Sequence, residues 1–243
     1  MPNRSLDPQK IAVTAEKLSA RINERFPEAG LHKISQELMQ LGDKATLEAP
    51  RIARPIYSVR IAVAIFITVI IAIVGSMIWA AIRQLNQLTE ANVVDIVGAL
   101  EAGTNELFLI GLIIFFLVNL ETRIKRSQAV RAIHELRSIA HVIDMHQLSK
   151  DPASLKKYWS PTKSSPQRDL TVPQLIRYLD YCSELLSVTS KISALYLQRF
   201  NDGVVLEAVR DVETLCTGLS NKIWQKLQIA QSIMESTRQI EKP

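Results

Sequence analysis

Two stretches of this chain are apolar without interruption, and most of the remainder is periodic. Ile61 to Ile82, IAVAIFITVIIAIVGSMIWAAI, carries no charge, over the length that a bilayer core demands. Arg60 and Arg83 bracket it, and Trp79 stands where an interfacial aromatic is expected. Buried helices of soluble proteins rarely run this long without a charge, so the pattern predicts a membrane span. Leu107 to Val118, LFLIGLIIFFLV, is shorter. With Thr104, Asn105, Asn119 and Leu120 added it reaches the lower limit for a second span, which the basic cluster after it favours over a re-entrant segment. Glu106 then falls at one interface, and Glu121 and Arg123 at the other. Thr68 and Ser76 read as helix-packing positions, and Gly75 as a place where another helix approaches.

Elsewhere apolar residues recur at steps of three and four, the spacing of one helix face. Asp7-Pro8 is a cap followed by a first-turn proline, and that helix ends near Arg25, before Pro27. Leu31, Ile34, Leu38 and Leu41 predict a second helix from Gly30 to Gly42, after which Pro50 and Pro55 mark a linker. No breaker follows the second apolar stretch until Asp151-Pro152, which predicts one continuous helix from about Asn105 to Leu148. Its face Ala129, Ile133, Leu136, Ala140 and Ile143 is apolar. Residues 150–170 hold three prolines and four serines and read as a loop. Within it Lys156, Lys157, Tyr158 and Trp159 read as solvated chain with one packed tryptophan. Thr171 and Pro173 start a helix that runs to Phe200, and Asn201-Asp202-Gly203 is a turn. A last helix, from Val204 to Thr237, carries Val205, Ala208, Val212, Leu215, Leu219, Ile223, Leu227, Ala230 and Met234 along one seam. A seam of that length needs long partners: helix 172–200 as antiparallel neighbour, and the second half of helix 105–148.

The fold class expected is therefore all-α, a two-helix transmembrane hairpin with an elongated cytoplasmic helical bundle. Residues 1–55 form N-terminal cytoplasmic helices and a linker. Residues 56–123 form the hairpin, with an external loop at 84–106. Residues 124–243 form the bundle. Charge sets the orientation. The connection from Gln84 to Glu106 holds Glu90, Asp95, Glu101 and Glu106 and no lysine or arginine. Its flanks carry Arg51, Arg54 and Arg60 on one side and Arg123, Lys125, Arg126 and Arg131 on the other. The positive-inside rule puts both termini in the cytoplasm. Within the connection, VVDIVGAL has an apolar face and reads as a short helix along the outer interface.

Composition narrows the chemistry. Eight glycines in 243 residues leave little material for a phosphate cradle. No Walker loop, GxGxxG, GxSxG, HExxH or kinase signature occurs. The spans hold no buried acid or lysine of the kind that relays protons. The net charge of +5 comes without a basic stripe interleaved with aromatics, so no nucleic-acid partner is expected. Cys182 and Cys216 lack metal or redox spacing and read as buried helix residues in a reducing compartment. The first fifty residues have no apolar h-region, so no cleavable signal peptide is expected.

HELRSIAHVIDMHQLSKDP, His134 to Pro152, gathers three of the four histidines. On a helix, Val130, His134, Arg137, His141, Asp144 and Leu148 form a second stripe beside the apolar face. His134 and His141 lie about 10.5 Å apart along the axis, too far for one metal ion. His141 and Asp144, at i and i+3, supply a half-site only. His146 projects from another face, Glu135 points away, and His32 would have to come from a distant region. The stripe is better read as an interaction seam, with His141 and Asp144 paired locally and His134 and Arg137 making polar contacts. Histidine protonation would change the charge of such a seam.

RFPEAGL (Arg25 to Leu31), HELRSIAHVIDMHQLSKDP and GLSNKIWQKL (Gly218 to Leu227) together resemble segments of a bacterial family of uncharacterised two-span membrane proteins. The likeness covers the N-terminal region, the helix after the second span and the final helix. It implies a bacterial inner-membrane setting and brings no activity with it. Three function classes follow. The favoured one is a membrane-anchored, non-enzymatic scaffold or regulator that forms homo-oligomers, binds a cytoplasmic protein partner and needs no cofactor. The others are an oligomeric channel or channel subunit, and a metal-dependent sensor or enzyme using the His134–His146 helix. Topology is tested directly: reporters fused at residues 1, 95 and 243 should read inside, outside and inside. An inside reading at 95 would remove the hairpin.

Overall fold

The computed structural model describes residues 5–85, 93–155, 160, 162–165 and 170–240. Among these, all regular structure is helical, as the sequence predicts. The elements are α1 (Pro8–Arg25), α2 (Gly30–Ala53), α3 (Tyr57–Leu85), α4 (Val93–Val118), α5 (Leu120–Leu148), a 3₁₀ turn (Pro152–Leu155), α6 (Val172–Arg199) and α7 (Gly203–Ile240). The chain divides into two compact units. One comprises Met1–Ala53 with Arg126–Pro243, the other Arg54–Lys125. The stretch Lys156–Trp159 and part of the expected external loop, residues 86–92, lie outside the described residues.

Local chemistry sets the helix ends. The Asp7 carboxylate accepts from the N–H groups of Gln9 (3.0 Å) and Lys10 (3.4 Å), with Pro8 in the first turn. The Gln174 side chain accepts from the Thr171 N–H at 2.9 Å, the returning half of a capping box. Asp202, expected only as a turn residue, caps α7 by accepting from Val204 N–H at 3.0 Å and Val205 N–H at 3.3 Å.

The first unit is organised about α6. Leu179, Cys182, Leu186 and Ile192 are fully buried, and Leu175, Tyr178, Leu185, Val188 and Tyr196 nearly so. These positions occupy most of the helix circumference, so α6 is enclosed by α1, α2 and α7 together. Pairwise contacts fix the directions. α1 runs against α6, with Leu6 N–H on Gln198 (3.1 Å), Arg21 on Glu184 (2.6 Å) and Phe26 edge-on to Tyr178. α5 runs alongside α7: Arg126 meets Asp202, Arg137 meets Asp211, and the Lys226 ammonium meets the Gln147 carbonyl. The α7 seam buries Val205, Val212, Leu219, Ile223, Leu227 and Ala230 as expected. Val209 and Cys216 take the central places that the sequence reading gave to Ala208 and Leu215, which are half-buried.

Three helix boundaries differ from expectation. α2 continues eleven residues past Gly42 to Ala53, through Pro50. Pro50 removes one backbone hydrogen bond close to the helix end, while Ala45, Ala49 and Ile52 are buried along the extension and hold it in place. Gly42 is thus a helix-interior residue where α2 comes close to α6. α4 begins at Val93, so VVDIVGAL is the first part of α4 and not a separate interfacial helix. The helix expected to be continuous from Asn105 to Leu148 is instead divided at Asn119. Hydrogen bonds still cross that point, from Asn119 N–H to Phe115 and from Arg123 N–H to Asn119. The Asn119 side chain competes for the Phe115 carbonyl at 2.7 Å, which is a local reason for the irregularity.

In the second unit α3 and α4 touch each other, and both are long and apolar enough to cross a membrane. Their large side chains stand outward: Ile65, Phe66, Ile71, Trp79, Phe108 and Phe115 are all more than half exposed. Thr68 and Ser76 donate back to carbonyls of their own helix, Ala64 and Ile73. No described atom lies near the space a Gly75 Cβ would take, so the helix contact expected there is not made in this chain. The Arg83 guanidinium lies 3.9 Å from the Trp79 ring centroid. Glu121 accepts from Ile56 N–H (3.1 Å), Arg60 (2.7 Å) and Lys125 (2.7 Å), joining the start of α3 to the start of α5.

Two substitutions test the packing. Leu186→Ala empties a fully buried position in α6 and should destabilise the first unit by about 2–5 kcal/mol. Gly42→Ala should stabilise it by about 0.5–1 kcal/mol, by the helix preference of alanine. An added Cβ at Gly42 would meet Ile192 Cδ1 at 3.5 Å, an ordinary contact. Denaturant unfolding in mild detergent measures both, and a Gly42→Ala loss would show that α2 and α6 lie closer than this.

Candidate functional site on helix α5

The apolar face of α5 is buried as its spacing predicts. Ala129, Ile133, Leu136, Ala140 and Ile143 are each at most 1% exposed. The second stripe divides in two around the helix. Val130 and Asp144 are half-buried, whereas His134, Arg137, His141 and Leu148 are exposed. Val130, His134 and Arg137 border a groove of about 180 Å³ against Glu207, Asp211 and Val212 of α7. Across it Arg137 reaches Asp211 at 3.6 Å, with both side chains about half in solvent. An exposed pair of this kind adds little stability. Its role is to orient Arg137 toward α7.

Asp144 does not pair with His141, as had been expected. Its carboxylate accepts from the Gln147 amide at 2.6 Å. Gln147 is buried, three residues along the same helix, so the carboxylate is drawn inward and away from the exposed imidazole. Glu135, read as pointing away from the stripe, pairs with Lys44 of α2 at 3.0 Å. His146 packs on Gly30, where an added Cβ would overlap its ring. Among the described residues no three His, Cys, Asp or Glu side chains come together as a metal site would need. His32 has a buried Nδ1 with no partner. Cys182 and Cys216 are buried free thiols, and burial pushes them up to about 12 and about 11, far from the range of a nucleophilic cysteine.

Rotation about α5 shows a face that the six-residue stripe only partly described. Arg131, His134, Ser138, His141, Met145 and Leu148 are all exposed, at alternating steps of three and four. Met145 and Leu148 are 65% and 62% exposed. Arg131, Ser138 and Met145 were missed because the sequence reading followed the stripe at 130, 137 and 144, which leans toward α7. The signal was available as a second register of the same spacing, one residue over.

Both ends of α5 within the first unit are tied to α7. Arg126 makes a two-pronged contact with Asp202, at 3.0 Å from Nε to Oδ1 and 2.7 Å from the terminal nitrogen to Oδ2. At the far end, Lys226 donates at 2.7 Å to the Gln147 carbonyl, which also accepts from the Lys150 N–H at 3.1 Å. Burial depresses the Lys226 pKa, while Asp151 and Asp144 pull it the other way. Neither Lys226 nor Asp202 was singled out as a site from the sequence, since their partners lie 76 or more residues away.

The Arg126 guanidinium holds the Asp202 carboxyl below the ordinary carboxylate value, helped by the Val205 and Val204 N–H groups and opposed by burial. Because the folded pKa is lowered, this contribution is complete above the unfolded value and is lost as pH falls through the folded one. Asp202→Asn keeps a good helix cap and removes the charge. It should lower the melting temperature at neutral pH, with the gap closing below about pH 3.8. A gap independent of pH would show that the ion pair contributes nothing. No family model matches this chain, and no curated protein and no solved structure matches it.

Proposed function

We propose that this chain is an integral protein of a bacterial inner membrane, held by α3 and α4 with both termini in the cytoplasm. It acts without catalysis, as a scaffold or regulator that self-associates and presents its first unit to cytoplasmic protein partners. The observation that carries this reading is the outward exposure of α3 and α4. Phe108 is 72% exposed, Phe115 63%, Ile65 61% and Trp79 58%, around helices with no covering partner among the described residues. In water such surface would be strongly unfavourable, and in a bilayer it is at home. The hydroxyls of Thr68 and Ser76 are satisfied on their own helix, which suits a medium that offers no hydrogen bonds.

Self-association is assigned to the exposed register of α5. The alternation from Arg131 to Leu148 is that of a two-helix seam. Copies anchored in one membrane share an orientation, so a two-fold axis along the membrane normal brings equivalent α5 faces together. Met145 and Leu148 supply the apolar contact, and His134 and His141 lie at the polar turns of the same face.

Mass photometry in nanodiscs at several concentrations tests the reading. A dimer or larger species is expected, shifting to monomer in a Met145→Lys, Leu148→Lys double variant. Both side chains are exposed within the chain, so its melting temperature should stay close to that of the parent protein. A parent protein that is monomeric throughout, or an oligomer indifferent to the double variant, overturns the assignment.

A further inference from the structure

The first unit contains a second concave feature, at the C-terminal end of α5 where the exposed register finishes. The turn between α1 and α2, the end of α5 and the start of α6 border an open cleft of about 420 Å³. That lies within the range of small-molecule sites. Its floor is aromatic. Phe26 and Tyr178 are 7% and 3% exposed and meet edge to face at 5.5 Å between ring centroids. Leu170 and Ala29 extend the apolar wall.

The polar groups are few and unevenly placed. The half-buried Lys150 ammonium lies 5.7 Å from the Tyr178 ring centroid and meets no carboxylate among the described residues. The His146 imidazole beside it is fixed by its contact with Gly30, where α2 begins. Burial, and then the charge of Lys150, lower its pKa, so the ring is neutral at physiological pH and offers a hydrogen bond without a second charge. Glu28 lies in the exposed part of the lining. Among the described residues the cavity therefore presents one cation without a carboxylate partner, an apolar floor and one exposed acid.

We propose that this cavity binds a small organic monocarboxylate with a flat apolar body. The carboxylate pairs with Lys150 and accepts from the His146 ring, and the body lies on Phe26 and Leu170. Glu28 sets the selectivity, because a second negative charge on the ligand would face the rim acid. The inference does not depend on membrane topology.

The probe is 4-fluorobenzoate, observed by fluorine NMR line broadening with the full chain in nanodiscs, and with empty nanodiscs as blank. Saturable binding is expected below about 10 mM. Lys150→Gln should weaken it at least tenfold while leaving the melting temperature unchanged. Glu28→Gln, an exposed change, should leave benzoate binding in place and raise the affinity for the dianion phthalate several-fold. No saturable broadening, equal binding by the Lys150→Gln variant, or equal phthalate affinity with and without Glu28 would each overturn the proposal.

Discussion

Helix α6 needs cover on more sides than one neighbour can supply, and the first unit is arranged to meet that need. A helix with a single apolar stripe is satisfied by one partner. α6 buries Leu175, Leu179, Cys182, Leu186 and Ile192 together with Tyr178, Tyr181, Val188, Leu195 and Tyr196. It is consequently flanked by α1, α2 and α7. The hydroxyls that this enclosure buries are disposed of locally. Thr189 and Ser193 donate to the Leu185 and Ser190 carbonyls, and Ser19 and Ser35 bond to each other at 3.0 Å between α1 and α2. Each would otherwise be an unsatisfied group in the core.

Apolar burial has no direction, so it leaves the sliding of one helix along another weakly specified. Polar contacts at the ends supply the register. Arg126 with Asp202 and Lys226 with the Gln147 carbonyl lie at opposite ends of the α5–α7 contact. A slip by one turn would break both, leaving Lys226 half-desolvated and without its acceptor. Glu121 has the same role in the second unit, where three donors converge on one carboxylate. Few such contacts are needed because each replaces a group that would be costly to leave alone.

The two units place their apolar residues in opposite ways. In the first they turn inward at helical spacing. In the second, the large apolar side chains described on α3 and α4 stand outward, and Thr68 and Ser76 turn back onto their own backbone. This contrast is the physical basis for the proposed division of the chain between a lipid and an aqueous setting. It also explains why the functional reading rests on surfaces. Among the features that remain outward in the first unit are the α5 register from Arg131 to Leu148 and the aromatic-floored cleft beside Lys150.

Much of this could be read from local pattern. The two apolar stretches, the Asp7-Pro8 start and Arg25 end of α1, the Thr171 start of α6, the buried face of α5 and most of the α7 seam all follow from spacing and end chemistry. These signals lie within a few residues of the structure they specify. Periodicity states that a face is apolar without naming what will cover it. It therefore could not show that α1 and α2 close on α6, that Pro50 is carried inside α2 by buried Ala45, Ala49 and Ile52, or that Asp144 turns to Gln147 and away from His141. The same limit applied to the candidate site. The sequence marked α5 as the helix to examine, but which of two adjacent registers faces solvent was decided by α7 lying against one of them. Burial and register are properties of pairs of helices distant in sequence, and only tertiary packing determines them.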